Sequence, residues 1–418
     1  MNDIVRQPLL AMSAADVVAP RVHKTDVAII GGGLAGSLAA VVLGRAGHSV
    51  ALIDRHAEYP EELRVEKLAG TQVELMRRLG LLDCIAAKAC RYDQVVNVRH
   101  GRVIDRSYGE QYGIMYADLV ATVRAQIPPS VPFIVDRVVE LQTGPEQQRI
   151  RLSNHGMIEA RLIVLATGMA DVLRHQLGIR RRTVHEKHSI SFGFSIVPAA
   201  RATFPFPALT CYGDKPSDRI DYLNLFPIGA VMRANLFTYL DHRDPWVRTL
   251  RREPKQALLA AMPGLAHFLG DFAVIDQVQN WTMDLQVVEN FLRDGVVLVG
   301  DAFQTSCPAA GTGVTRLLTD VDRLCNGHVP RWLTTSGMTR DKIAAFYADP
   351  AKRRADAHAA RLADYRRVLT INDGLAGDLR RHHAFLRRRL LGWIRRRRRV
   401  PAVHPMPAAT LKAVAPRA

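Results

Sequence analysis

The sequence predicts an α/β fold: a parallel-sheet domain, an antiparallel sheet inserted into it, and a helical C-terminal region. Three observations carry this expectation. An apolar run, Val27 to Ile30, breaks into the glycine turn Gly31-Gly32-Gly33-Leu34-Ala35-Gly36 and resumes with helical periodicity. Two further fully apolar runs, Leu162 to Ala166 and Gly295 to Val299, read as buried parallel strands far along the chain. Between His185 and Trp281 the pattern turns to strict alternation rich in aromatic residues, as in a half-buried antiparallel sheet.

The first element is a strand, a tight turn and a helix in the spacing G-x-G-x-x-G. Gly31 permits the turn, Gly33 lets a pyrophosphate approach the backbone, and Gly36 lets helix and strand pack closely. The N–H groups at the helix start, including those of Leu34 and Ala35, offer partial positive charge to an anion. Ser49 to Ile53 forms the next strand and ends in Asp54-Arg55, where a carboxylate is placed to bond ribose hydroxyls. The unit is Rossmann-like, and its ligand is a nucleotide diphosphate.

Glu61 to Leu79 carries apolar residues at helical spacing and ends at Gly80, so a helix is expected there. Arg64 near its start either reaches the cofactor phosphates or is a solvated helix residue, and Lys67 reads as a surface residue of the same helix. Short alternating strands follow from Tyr92, with a turn at His100-Gly101, then a helix from Asp118 to Gln126. Val131 to Leu141 and Gln148 to Leu152 read as strands, and Asn154-His155-Gly156 turns the chain into Met157 to Arg161. The apolar run Leu162 to Ala166 then ends in Thr167-Gly168.

In the inserted sheet, Ser189 to Ile196, Ile220 to Phe226 and Ala230 to Tyr239 are the expected strands. Tyr222, Asn224 and Arg233 are candidates to line a pocket, limited by the fact that successive residues face opposite ways. His185 is a candidate general base, with His185 to His188 read as a loop. Helical stretches follow at Asp244 to Met262 and Leu265 to Leu269. Gly295 to Val299 opens into Gly300-Asp301-Ala302 and a small-residue loop, after which Val314 to Leu324 is helical. The remainder, Asp341 to Leu369 and Leu379 to Arg399, is mostly helical.

Three separated motifs together resemble the FAD-dependent monooxygenases of the aromatic hydroxylase type, the para-hydroxybenzoate and ubiquinone hydroxylase superfamily. They are the Gly31 turn, the mid-chain Thr167-Gly168 loop with Arg174 after it, and the late segment in which Gly300, Asp301, Ala302, Pro308, Gly311 and Gly313 match at every spacing. Asp320 and Leu324 fit the helix that follows. The resemblance implies a Rossmann-like FAD-binding domain with an inserted antiparallel-sheet substrate domain. Asp301 would bond the ribityl chain of FAD. The loop from Pro308 through Gly311, Thr312 and Gly313 would lie beside the flavin, with the helix from Val314 aimed at its pyrimidine end. It further implies that reduced FAD reacts with molecular oxygen to give a flavin hydroperoxide, which transfers one oxygen atom to a hydrophobic, aromatic or quinone-like small molecule. Three departures separate the chain from the hydroxylases: Thr167 stands where they carry aspartate, Gln304 where they carry histidine, and Thr315 where they carry asparagine.

Only one G-x-G-x-x-G is present. NAD(P)H therefore binds transiently as reductant, or a separate flavin reductase supplies the electrons. The alternatives sharing the FAD frame are a geranylgeranyl reductase-like enzyme that reduces lipid double bonds and a halogenase-like flavoenzyme. For the latter the W-x-W-x-I-P segment is missing, Trp281 not fitting it. Cys307 reads as a small buried thiol in the flavin loop.

The expected organisation is a disordered leader (1–22), an FAD-binding domain (23–90, 117–182 and 286–330), a substrate domain (91–116 and 183–285), C-terminal helices (331–400) and a flexible tail (401–418). With 418 residues there is enough chain for two or three domains. Five cysteines show neither metal-ligand nor disulfide-framework spacing, so no metal is expected and the compartment is reducing. No signal-like or membrane-spanning run occurs, which points to the cytoplasm.

The net charge of +17 is concentrated: ten arginines fall between Arg380 and Arg399 with no acid among them. Leu386, Leu390, Trp393 and Ile394 share one side of that helix, a pattern suited either to an anionic membrane surface or to packing on the FAD domain. No groove-reading or base-stacking element accompanies the arginines, so nucleic acid is not an expected partner.

Overall fold

The computed structural model describes residues 22–64 and 66–397, with the side chains of 391–397 left aside. Residues 1–21 of the expected leader and the whole of the expected flexible tail, together with the side chains of Trp393 and Ile394, lie outside the described residues, while Val22 already belongs to the first strand.

Two sheets organise the chain. In the first, five parallel strands run in the order Phe133–Val135, Val50–Asp54, Val22–Ile30, Met157–Leu165 and Val296–Leu298. Gln148–Leu152 and Val138–Gln142 add an antiparallel meander to the near half of Met157–Leu165. The central strands are apolar on both faces because both are covered. One face carries the helices Leu34–Arg45, Tyr116–Arg124 and Gly313–Val321, with Leu38, Leu43, Val120 and Leu318 fully buried between them. Gly36 is where helix and strand touch: a Cβ there would sit 1.8 Å from the Gly31 carbonyl oxygen.

The second sheet has nine strands and is antiparallel except where Leu209–Tyr212 runs parallel to Cys90–Arg99. Its spine is the strand Arg180–Pro198, which pairs with Val231–Thr238 on one side and with Gln279–Glu289 and Phe272–Val274 on the other. Phe194, Leu223, Leu225 and Leu236 fill its outer core under the helices Pro245–Arg252 and Pro254–Ala261. The long helix Pro350–Ile371 crosses back to this sheet, where Arg366 makes a bidentate pair with Asp221.

Several local expectations are corrected. The helix expected over Glu61 to Leu79 begins only at Thr71: Gly70 adopts φ +54°, and Lys67–Ala69 instead forms an edge strand paired with Gln111 to Gly113 in the second sheet. Val131 to Leu141 is two strands in different neighbourhoods, Phe133–Val135 and Val138–Gln142. Asp244 to Met262 breaks at Glu253, and Asp341 to Leu369 at Asp349, each before a proline that cannot continue the preceding helix. His185 to His188 is no loop but a bulge inside Arg180–Pro198, with Lys187 at φ +44° and ladder pairing resumed at Ser189.

Candidate active site

A cavity of about 550 Å³ lies between the two sheets. Its first wall is the segment Leu63 to Gln72, its second the loop and helix start from Ser306 to Leu317 with Asp301, and its third the inner face of the antiparallel sheet. Ala355, His358 and Leu362, at helical spacing on Pro350–Ile371, close a further side.

The second wall is held from behind. Asp320, buried, accepts the Gly300 N–H at 2.9 Å with one oxygen and Lys352 Nζ at 2.9 Å with the other. Lys352 is itself buried, paired with Asp356 and seated 4.1 Å over the Phe303 ring. Arg316 donates to the Gln304 carbonyl and the Ser306 hydroxyl and pairs with Asp356. This network fixes the turn that presents Asp301, and sequence reasoning did not foresee Lys352 or Arg316 in it.

Arg64 and Asp301, 237 residues apart, meet at 3.4 Å. Arg64 also bonds Glu62 at 2.9 Å and lies 4.8 Å over the Trp281 ring. Of the two readings of Arg64, the solvated helix residue is overturned, because the helix does not begin until Thr71. Gln72 ties the first wall to the second by donating to the Gly311 carbonyl at 3.1 Å. Thr167 and Gly168 end the central strand beside this region, and the Gly168 carbonyl accepts from Arg174 at 3.1 Å and Arg181 at 2.9 Å. Arg181 reaches on to the Asp301 carbonyl at 2.8 Å. Burial lowers the Arg174 pKa to about 9.

At the glycine turn, Asp54 accepts the Gly32 N–H at 2.5 Å and the His56 N–H at 2.7 Å, while Arg124 donates twice to the Gly32 carbonyl. Arg124 carried no sequence signal, being one basic residue in the last turn of a short helix. Arg55 is exposed.

The sheet wall is built in cross-strand rows. Trp281, Ser191, Phe237 and Tyr222 are successive register partners across four strands. A second row runs Gly193, Asn235, Asn224, Thr210 and Asn97. Thr210 donates to Asn224 Oδ1 at 2.7 Å, and Asn97 to Ser107. Three polar atoms in these rows are buried without a protein partner among the described residues: Ser191 Oγ, Asn235 Oδ1 and Trp281 Nε1. Such atoms call for a ligand or water to satisfy them.

Tyr222 lines the cavity, but its hydroxyl donates to the Ala309 carbonyl at 2.8 Å, and burial raises its pKa. Arg233 is held by Glu66 through two bonds of 2.9 and 3.0 Å and also reaches Asp276, so its charge is spent on bracing. His185 lies outside the cavity lining, with its ring 5.0 Å from that of His188. His188 is wholly buried, with a pKa lowered to about 4 by desolvation. Phe194 and Phe226 are buried in the core, and Phe226 also lines the cavity.

The residues present fit a flavin dinucleotide. Gly311, at φ +65°, has open space where a Cβ would stand, and a Cβ on Gly33 would meet only the Tyr59 ring, at 3.6 Å. No side chain caps the helix Gly313–Val321, whose start lines the cavity, and the buried Thr312 hydroxyl has no partner. Among the described residues, no cluster of His, Cys, Asp or Glu is placed to hold a metal ion.

The family model described as FAD binding domain matches residues 24–327. The 3-amino-4-hydroxybenzoate 2-monooxygenase PtmB3 of Streptomyces platensis is 23% identical over 312 residues, 71% of this chain and 78% of that protein. Aklavinone 12-hydroxylase DnrF of Streptomyces peucetius subsp. caesius is 27% identical over 332 residues, covering 69% and 64%. The crystal structure of p-nitrophenol 4-monooxygenase PnpA from Pseudomonas putida DLL-E4 superposes with a TM-score of 0.71 at 17% identity, covering 91% of this chain and all of that one. The chain therefore belongs to the FAD binding domain family, and within it to the FAD-dependent monooxygenases of the aromatic hydroxylase type.

Proposed function

We propose that the cavity holds a hydrophobic aromatic or quinone-like molecule against bound FAD and that the protein inserts one oxygen atom of dioxygen into it. The observation that carries this reading is the meeting, around one cavity, of the Asp301 and Pro308 to Val314 wall with an aromatic sheet wall whose polar atoms lack partners. Bound FAD supplies the electron transfer and oxygen activation. The chain supplies binding and orientation. Gly31, Gly33 and Gly36, with the N–H groups of Leu34 and Ala35, hold the pyrophosphate. Asp54 takes the ribose, Arg64 the phosphates and Asp301 the ribityl hydroxyls. The helix start at Gly313 and Val314 favours negative charge on the reduced ring. The Trp281, Phe237 and Tyr222 row orients an aromatic substrate and excludes water.

We assign the reducing equivalents to NAD(P)H bound transiently, or to a separate flavin reductase. Aerobic incubation of the holoprotein with NADH and NADPH decides between them: flavin bleaching and oxygen uptake support the first, inert flavin the second. Isotopically labelled dioxygen tests the main reading, since a product without label would overturn oxygen insertion.

Contact with an anionic membrane is supported by the helix Gly374–Arg397. It docks on the sheet through Arg381, Phe385 and Arg388, the last bonding Asp105 at 3.0 Å. Leu375, Leu379, Leu386 and Leu390 are left 90%, 70%, 53% and 56% exposed on its other side. No helix among the described residues is long and apolar enough to cross a membrane. Sedimentation with anionic vesicles that is unchanged by deleting 379–418 would remove this contact.

A further inference from the structure

Among the described residues that line the cavity, Lys67 carries a charge that no partner answers. The edge strand Lys67–Ala69 alternates: Leu68 points into the core, while Lys67 and Ala69 line the cavity. The other acidic and guanidinium groups of the lining have partners among the described residues. Glu66 is held by Arg233, Asp301 by Arg64, and Arg316 by Asp356. Among the described residues, no hydrogen bond or ion pair reaches the Lys67 ammonium. The neutral acids nearby, Tyr116, Tyr222 and Cys307, have their pKa values raised by burial, so none supplies a counter-charge at neutral pH.

An unpaired ammonium beside apolar walls is costly unless a ligand answers it. Lys67, on the edge strand of the antiparallel sheet, lines the same cavity as Ser191, Asn235 and Trp281, whose polar atoms lack protein partners among the described residues.

We propose that Lys67 reads an anionic oxygen of the substrate, which makes the substrate an aromatic molecule bearing an ionised carboxylate or phenolate. This rests on the cavity being the substrate site and specifies the substrate's charge. Desolvation lowers the Lys67 pKa to about 8, so the free cavity loses its charge just above neutrality, and an anion that pairs with Lys67 draws the proton back.

The test uses the FAD-loaded protein without turnover and reads ligand binding from the flavin difference spectrum. The probes are 2-naphthoate and its neutral isostere 2-naphthamide. The wild type should prefer naphthoate, and the preference should fall as pH rises past about 8. Lys67→Met should reduce naphthoate affinity by roughly 10-fold or more, leave naphthamide binding and flavin content unchanged, and abolish the pH dependence. Lys67→Arg should keep the preference. A Lys67→Met protein with the wild-type preference would overturn the proposal. So would one whose flavin potential shifts while the preference stands, because the lysine would then answer the cofactor. If neither probe perturbs the flavin spectrum, the cavity assignment itself fails; an absence of oxygen insertion in the turnover assay leaves this binding result untouched.

Discussion

The two sides of the proposed site are built by different means. On the nucleotide side the groups proposed to bind are mostly backbone, with glycines that leave room and a helix start without a side-chain cap, joined by a carboxylate at the end of a strand. On the sheet side they are side chains in cross-strand rows, where the backbone is consumed by the ladder and only residue identity is free to vary. A backbone site demands particular residues at fixed spacing. A side-chain site demands only a pleated sheet, and many sequences make one. The difference predicts two kinds of failure on mutation: loss of fold and flavin on the first side, altered ligand preference with flavin intact on the second.

The hardest test of that division is Lys352, which touches neither ligand face but supports the flavin wall through Asp320 and Gly300. Lys352→Met leaves a buried carboxylate unpaired and should cost about 3–5 kcal/mol. Thermal unfolding should fall, and the protein should purify with depleted flavin. A normal melting temperature with full flavin would mean that Asp320 does not need its partner. Next in size is Asp301→Ala, which removes a charged acceptor from the flavin wall and leaves Arg64 with Glu62. Flavin affinity should drop by about 1.5–3 kcal/mol, read as apoprotein after gel filtration. Full retention would displace Asp301 from its assigned place.

On the sheet side, Asn235→Ala should do the opposite. Asn235 Oδ1 has no protein partner to lose, so stability and flavin content should stay within about 0.5 kcal/mol of wild type. Binding of aromatic probes should change several-fold, followed by the flavin spectrum. If Asn235→Ala releases flavin, the two faces are not separate and the comparison breaks.

The same division explains what could be read from the chain alone. The turns at Gly31 and at Pro308 to Gly313 were legible because Gly31 and Gly311 adopt positive φ, a conformation with few sequence solutions, and Asp54 and Asp301 stood out by their spacing from those turns. Arg64 meeting Asp301 was only half legible: the residue stood out, but its helix was misplaced because Gly70 ends the pattern earlier than the apolar spacing suggests. Lys67 was hidden for the same reason, since a helix-surface reading and a cavity-lining strand differ by where one short edge strand pairs. Arg233 stood out as a charged residue amid aromatics, yet its partner Glu66 lies 167 residues away, and no local pattern could reveal that pairing. In the C-terminal helix the leucines were visible at one helical side, but periodicity could not say that Arg381, Phe385 and Arg388 would be the docked face and the leucines the outer one.

The smallest expected effect falls where the two faces join. The Tyr222 hydroxyl belongs to the sheet row, yet it donates to the Ala309 carbonyl in the flavin loop, and its ring stays packed against Phe237 and Arg366 without it. Tyr222→Phe therefore removes one hydrogen bond and keeps the packing, which should cost about 0.5–1.5 kcal/mol and shift the melting temperature by a few degrees. Turnover should fall only as far as the flavin loop loosens, in parallel with flavin dissociation. A loss of turnover above about 100-fold with unchanged stability would show the hydroxyl acting on the substrate. Tyr222 would then be a catalytic residue, not a tie between two walls.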